Sequence, residues 1–190
     1  MSEEQKNAVL ISEASASPVP DIAAADFKVY NNYAVRMDFF HTAFRNTWTT
    51  LYDACVANEL PNDISQERLI EIGKTFCIDL QVHHDFEEQA IFPYFAQRMP
   101  EFRDEDSKDE LLGQHKQIHA GLTKMLEYLS ACEGGQKEFE LKDLKAIMDV
   151  FGEVLWCHMD DEVDQLRAQN MQKYWSLEEI KAMPFYEPPE

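Results

Sequence analysis

Apolar residues recur along this chain at alternating steps of three and four, the period that lines one face of an α-helix. The first such segment runs from about Val29 to Ala57, with Met37, His41, Phe44, Trp48, Leu51 and Cys55 on one stripe, and Glu59-Leu60-Pro61-Asn62-Asp63 breaks it. The second runs from about Ser65 to Phe92 on Leu69, Ile72, Phe76, Leu80, His83, Glu87 and Ala90. Pro93 kinks or ends it, and Pro100 stops the turn that follows. The third opens on a capping box, Ser107 with Glu110 three residues on, and carries Leu111, His115, Ile118, Leu122, Met125 and Leu129 up to Gly134-Gly135. The fourth covers about Leu141 to Asn170, with Leu144, Ile147, Phe151, Leu155, His158, Glu162 and Leu166 on one side. Ser176 and Glu179 form a further capping box ahead of a short terminal helix.

Four long amphipathic helices with fairly short connections predict an all-α protein, an antiparallel up-down-up-down four-helix bundle. Residues 1–24, small and polar with Pro18 and Pro20, are expected to be a flexible tail; the bundle is expected over 25–172 and a C-terminal extension over 173–190. A chain of 190 residues suits one domain with a core that needs no staples.

Charge narrows the partners. The net charge is -19, from 36 acidic and 17 basic residues, so the surface repels phosphate backbones and anionic lipid. Neither nucleic acid nor a membrane surface is expected as a partner. No apolar stretch reaches the length that spans a bilayer, and the acidic start Met1-Ser2-Glu3-Glu4 does not resemble a secretory signal. Cys55, Cys77, Cys132 and Cys157 are scattered among apolar residues with no C-x-x-C pair. That usage fits free thiols and a cytoplasmic location.

The six histidines, His41, His83, His84, His115, His119 and His158, change the picture most, because at least four of them lie on otherwise apolar stripes. Three spacings repeat one geometry: His83 and Glu87, His115 and His119, and His158 and Glu162 each stand four apart. Such pairs lie one turn apart on the same helix face, about 5–6 Å between Cβ atoms, so both side chains can converge on one metal or an adjacent pair. Any one of these pairs taken alone is weak and reads as an ordinary ion pair or a satisfied core histidine. Three pairs on three helices, with His41 on the fourth, put five imidazoles and two carboxylates at one level. A carboxylate buried without compensation costs several kcal/mol or more. Glu87 and Glu162 therefore need something cationic beside them, which two metal ions would supply. His84 and Glu88 form a competing pair about 100° around the second helix. The stripe favours His83 and Glu87, leaving His84 exposed or behind the ligands. Imidazole and carboxylate without thiolate suit iron or manganese, with zinc possible.

The run His83-His84-Asp85-Phe86-Glu87-Glu88-Gln89-Ala90-Ile91-Phe92-Pro93 resembles the H-x-x-x-E-E-x-x-x-F-P segment of hemerythrin-like (HHE) domains. His115 to His119 is similar to that family's third-helix H-x-x-x-H, and His158 to Glu162 to its final H-x-x-x-E; the likeness covers about residues 30–170. The resemblance implies two irons bridged by both carboxylates and usually an oxo or hydroxo group, held by His41, His83, Glu87, His115, His119, His158 and Glu162. Five imidazoles, two bridging carboxylates and one bridging oxygen fill all but one position of two octahedral ions. O2, NO or peroxide could take the open one, beside the apolar Phe44, Trp48 and Phe151. Oxygen-carrying hemerythrins place the last carboxylate five residues after its histidine, here Val163, so simple oxygen transport is not what the pattern implies.

Three functions fit. One is binding of O2 or another small diatomic ligand for storage or sensing. The second is a non-haem di-iron oxidoreductase using O2, peroxide or nitric oxide on a substrate, with Tyr30, Tyr33 and Trp156 as candidate redox side chains. The third is a metal-storing or iron-responsive module. The sequence leaves open whether the protein is an enzyme, and its oligomeric state.

Overall fold

The structure, a computed structural model, describes residues 22–103 and 110–188, and among them there are helices and no strands. The expected tail therefore lies outside the described residues as far as residue 21. Helix α1 (Ala24–Tyr30) precedes α2 (Asn32–Ala57), with a break at Asn31 where the periodicity alone predicts one helix from Val29. The cause is a tertiary contact: the Asn31 side chain accepts a hydrogen bond from the Ala168 backbone N–H, 3.1 Å away, and so caps a helix elsewhere in the chain. Asn58, in the left-handed conformation at φ 53°, ends α2. Helix α3 (Gln66–Phe86) begins where the Ser65 hydroxyl accepts from the Arg68 N–H.

Beyond α3 the chain widens into a π turn, Glu87–Ile91, in which the Phe92 N–H bonds back to Glu87 O, before α4 (Phe92–Phe95). Pro93 accounts for this, since it has no N–H to give and its ring crowds the carbonyl four residues back. A 3-10 turn follows at Pro100–Phe102. Helix α5 (Leu111–Glu133) has Glu110 at its N-cap without a side-chain capping bond; Ser107, the other half of the expected capping box, lies outside the described residues. Gly134 ends α5, and Gly135 takes φ +68°. Helix α6 (Leu141–Gln165) stops before the expected Asn170, because the buried Leu166 and the extended Arg167 turn the chain into α7 (Ala168–Tyr174). The capping box of Ser176 and Glu179 forms and starts α8 (Leu177–Lys181).

Helices α2, α3, α5 and α6 make the body: α2 packs on α3 and α6, and α5 on α3 and α6. Gly121 lets α5 and α6 come close, since a Cβ there would fall 2.3 Å from the Phe151 ring. The interior is two apolar clusters. One holds Trp48, Leu80, Ile118, Leu129, Leu144 and Leu155; the other holds Met37, Ile91, Phe92, Leu111, Val163 and Trp175. Where one cluster gives way to the other along each long helix stand His41, His83 to Glu87, His115, and His158 to Glu162. No helix among the described residues is long and apolar enough to cross a membrane.

Candidate metal centre

Helix α2 contributes His41 to this layer, the last turn of α3 gives His83 and His84, the first residue of the π turn gives Glu87, α5 gives His115, and α6 gives His158 and Glu162. All are buried at 0–1% exposure except His83, whose side chain is 12% exposed beneath the rings of Phe40 and Phe44. Phe92, the residue that closes the π turn, stacks on the His115 ring with centroids 5.2 Å apart.

The donor atoms fall into two groups, each with its members within 4.8 Å of one another: His41, His83, Glu87 and Glu162, and His84, Glu87, His115 and His158. Glu87 belongs to both. Its Oε1 lies 2.9 Å from His83 Nε2 and its Oε2 3.5 Å from His115 Nε2. Glu162 Oε2 lies 3.3 Å from His41 Nε2 and 3.7 Å from His158 Nε2. None of these approaches is directed as a hydrogen bond. Nε2 of His41, His83 and His84 and all four carboxylate oxygens of Glu87 and Glu162 are buried without a hydrogen-bond partner. Each such atom costs about 1–3 kcal/mol when left so, more for a charged one, which makes the cluster a poor choice for structure alone.

The outer ring nitrogens explain how the imidazoles are aimed. His41 Nδ1 stands 3.0 Å from the Met159 carbonyl and His115 Nδ1 2.8 Å from Glu88 Oε1, so in each neutral ring Nδ1 holds the proton and donates it. His158 Nδ1 faces Gln114 Oε1 at 3.1 Å, and the amide is oriented by its own donation to Asp161 Oδ2 at 2.8 Å. With Nδ1 protonated in all three, Nε2 is a bare lone pair pointing inward, the form a metal requires. His115 Nε2 and His158 Nε2 then oppose each other at 3.1 Å with no proton between them, an arrangement that a cation relieves.

Electrostatics agree. Burial, with His41 close by, pushes the His83 imidazole down to about 3, and burial with His119 nearby does the same for His115. His84 and His158 are held well below the ordinary value by burial and by neighbouring imidazoles, above all His115. Glu87 is driven well above the carboxylate range by burial and by Glu162 beside it. Without a cation these five groups favour their neutral forms. The donor set, hard carboxylate oxygen with neutral imidazole nitrogen, fits a divalent or trivalent metal pair. The buried thiols of Cys55 and Cys77, raised by burial to about 11 and about 12, are no part of it, and Cys157 beside His158 is exposed.

Comparison with known proteins agrees with this chemistry: the model of the hemerythrin HHE cation-binding domain matches residues 34–168. The chain belongs to that family. This HHE domain is also 26% identical over 152 residues to the Dimeric xanthone biosynthesis cluster protein R11 of Cryptosporiopsis sp. (strain 8999). That match covers 79% of this chain and 53% of the relative, so the chain spans about half the relative's length. No solved structure matches it.

Against the residues expected from sequence, this HHE domain brings His41, His83, Glu87, His115, His158 and Glu162 together. It does not bring His119 into either group: that ring is half-buried behind His84. His84, expected to be exposed or behind the ligands, is instead fully buried within the second group. Helix α3 packs on both α2 and α5, and the turn of about 100° between His83 and His84 sends one ring to each neighbour. The choice between the His83/Glu87 and His84/Glu88 pairs dissolves, because Glu88 accepts a hydrogen bond from His115 Nδ1–H. Helical periodicity gives no sign of Gln114, because its partner His158 lies on another helix.

Proposed function

We propose that this protein is a non-haem di-iron protein that binds O2 or a related small ligand, for storage, sensing or oxygen handling. His41, His83, Glu87 and Glu162 would hold one ion and His84, Glu87, His115 and His158 the other, with Glu87 bridging. The observation that carries the reading is the set of seven orphaned polar atoms, three imidazole nitrogens and four carboxylate oxygens, gathered around a carboxylate common to both groups. Iron fits the donors best, and manganese and zinc fit less well. Bound there, the pair would supply redox chemistry toward a small ligand. The chain keeps His83, His84, His115 and His158 neutral, aims four of the rings through partners at their outer nitrogens, walls the site with Phe92 and Phe44, and excludes bulk water. Burial of every group but His83 supports a ligand of diatomic size over a bulky one. The order in which the long helices visit the two apolar clusters alternates, which supports an antiparallel up-down-up-down bundle. Four free cysteines support a cytoplasmic setting, and the acidic surface disfavours nucleic acid.

A second reading, an oxidoreductase acting with O2, peroxide or nitric oxide on a substrate, is favoured by one finding: the fungal relative is named for a xanthone biosynthesis cluster. Anaerobic reduction of the iron-loaded protein followed by O2, watched by visible absorption, separates the two. A reversible oxygenated spectrum supports ligand binding; rapid irreversible oxidation supports the enzyme; a purified chain that takes up no iron overturns both.

A further inference from the structure

The third-helix pair His115 and His119 looks like two ligands one turn apart, yet only His115 enters a donor group. We propose that His119 is a positioning residue: its Nε2 accepts the Nδ1–H of His84 and so fixes the tautomer in which His84 Nε2 faces the metal pair. This rests on the dinuclear reading above. His84 Nδ1 and His119 Nε2 are 3.0 Å apart and share one proton. If His119 held it, the remaining proton of neutral His84 would sit on Nε2, placing an N–H donor where a cation belongs. If His84 Nδ1 holds it, the buried and partnerless Nε2 offers its lone pair inward. Only the second state suits a cation.

In that state His119 cannot itself be a ligand through Nε2, because that lone pair is taken. Its own proton is on Nδ1. Gln81 Nε2 lies 3.5 Å from Nδ1 and 3.4 Å from Nε2, both longer than the 3.0 Å from His84 Nδ1 to Nε2, and donates to Asp85 Oδ1 at 2.8 Å. Gln81 thus braces the ring, while the shorter contact to Nε2 is that of His84. The bracing of His84 matches that of His41, His115 and His158, whose Nδ1–H groups donate to Met159, Glu88 and Gln114. The difference is that a half-buried imidazole performs it here.

The test is iron stoichiometry and affinity in anaerobic titration of the full chain. Wild type should take two ions. His119→Ala should still reach two at saturation with about 10–100-fold weaker affinity. His119→Gln, whose amide oxygen can accept the same proton, should recover most of that loss. His84→Ala, with His84→Asn as a second variant should the first not fold, should stop at one ion. Saturation of His119→Ala at one ion while the His84 variants keep two would overturn the proposal. So would a glutamine variant no better than the alanine one. A wild-type chain that binds no iron overturns the dinuclear reading and this proposal with it, an outcome distinct from the other two.

Discussion

His115 and His158 face each other across the α5–α6 interface with Nε2 atoms 3.1 Å apart, and the outer nitrogen of each ring is already donating, to Glu88 and to Gln114. Two lone pairs at that distance repel unless a positive charge lies near both. Because the rings are fully buried, water cannot supply it. The tautomers are set by residues outside both donor groups, so the preference for a cation is built into the outer layer.

Replacing His115 by alanine should therefore act differently on the two forms of the protein. Iron content should fall, and the iron-dependent increment in stability, about 3 kcal/mol when free metal is a hundredfold above Kd, should disappear. Metal-stripped protein should change less, because the substitution also removes the opposed lone pair. Elemental analysis with thermal melts of both forms checks this; full iron loading with unchanged melting would count against the site.

Glu87→Gln should split the same way more sharply. In stripped protein near pH 8 the variant should be more stable by about 1–3 kcal/mol, because an amide has no buried charge to form. Iron affinity should drop by more than about tenfold, since the carboxylate common to both donor groups is gone. Urea unfolding of stripped protein, set beside iron titration, gives both numbers.

The pH dependence of the stripped form follows from the shifted groups. His83 and His115 titrate near 3 when folded against 6.5 ordinarily, so below about pH 6.5 the unfolded chain takes up protons that the folded one refuses. Stability then falls as pH falls, by about 1.4 kcal/mol per pH unit for each such ring, down to about pH 3. Glu87 has the opposite sign: its raised folded value means that stability falls as pH climbs above 4.5 toward that value. Between 4.5 and 6.5 several histidines outweigh one glutamate, and the optimum should sit near 6.5. Unfolding at pH 5, 6.5 and 8 measures the curve; a stripped protein more stable at pH 5 than at 6.5 would refute the assignment.

Gln114→Leu removes the acceptor for His158 Nδ1 without touching a donor group. Iron affinity should weaken about 10–100-fold with stoichiometry kept at saturation. Competition with a chelator of known strength reads the change.

Gly121→Ala should destabilise both forms equally, by about 1–3 kcal/mol, because the new methyl falls 2.3 Å from the Phe151 ring and α5 and α6 must part. Equal loss with and without metal, in chemical denaturation, distinguishes this packing fault from a ligand fault.

Much of this was legible in the chain. Period 3.6 identifies the four long helices, and His83, Glu87, His158 and Glu162 interrupt apolar stripes in a way that demands charge. What periodicity could not supply was anything decided between helices. The break at Asn31 exists because its side chain caps α7, 137 residues away. The inward turn of His84 needs α5 beside α3, and the displacement of His119 needs His84 to be there first. A single-helix pattern ranks His83 over His84, whereas a helix wedged between two neighbours uses both.

The histidine and carboxylate layer lies across the bundle like a membrane across a drum, with one greasy compartment on each side. Few apolar contacts are available to bind those compartments across it, so the ions would act as rivets between two half-proteins. Loaded, the chain should come apart as one body; stripped, each compartment is free to open on its own terms, and metal supply becomes a control on how cooperatively this protein unfolds.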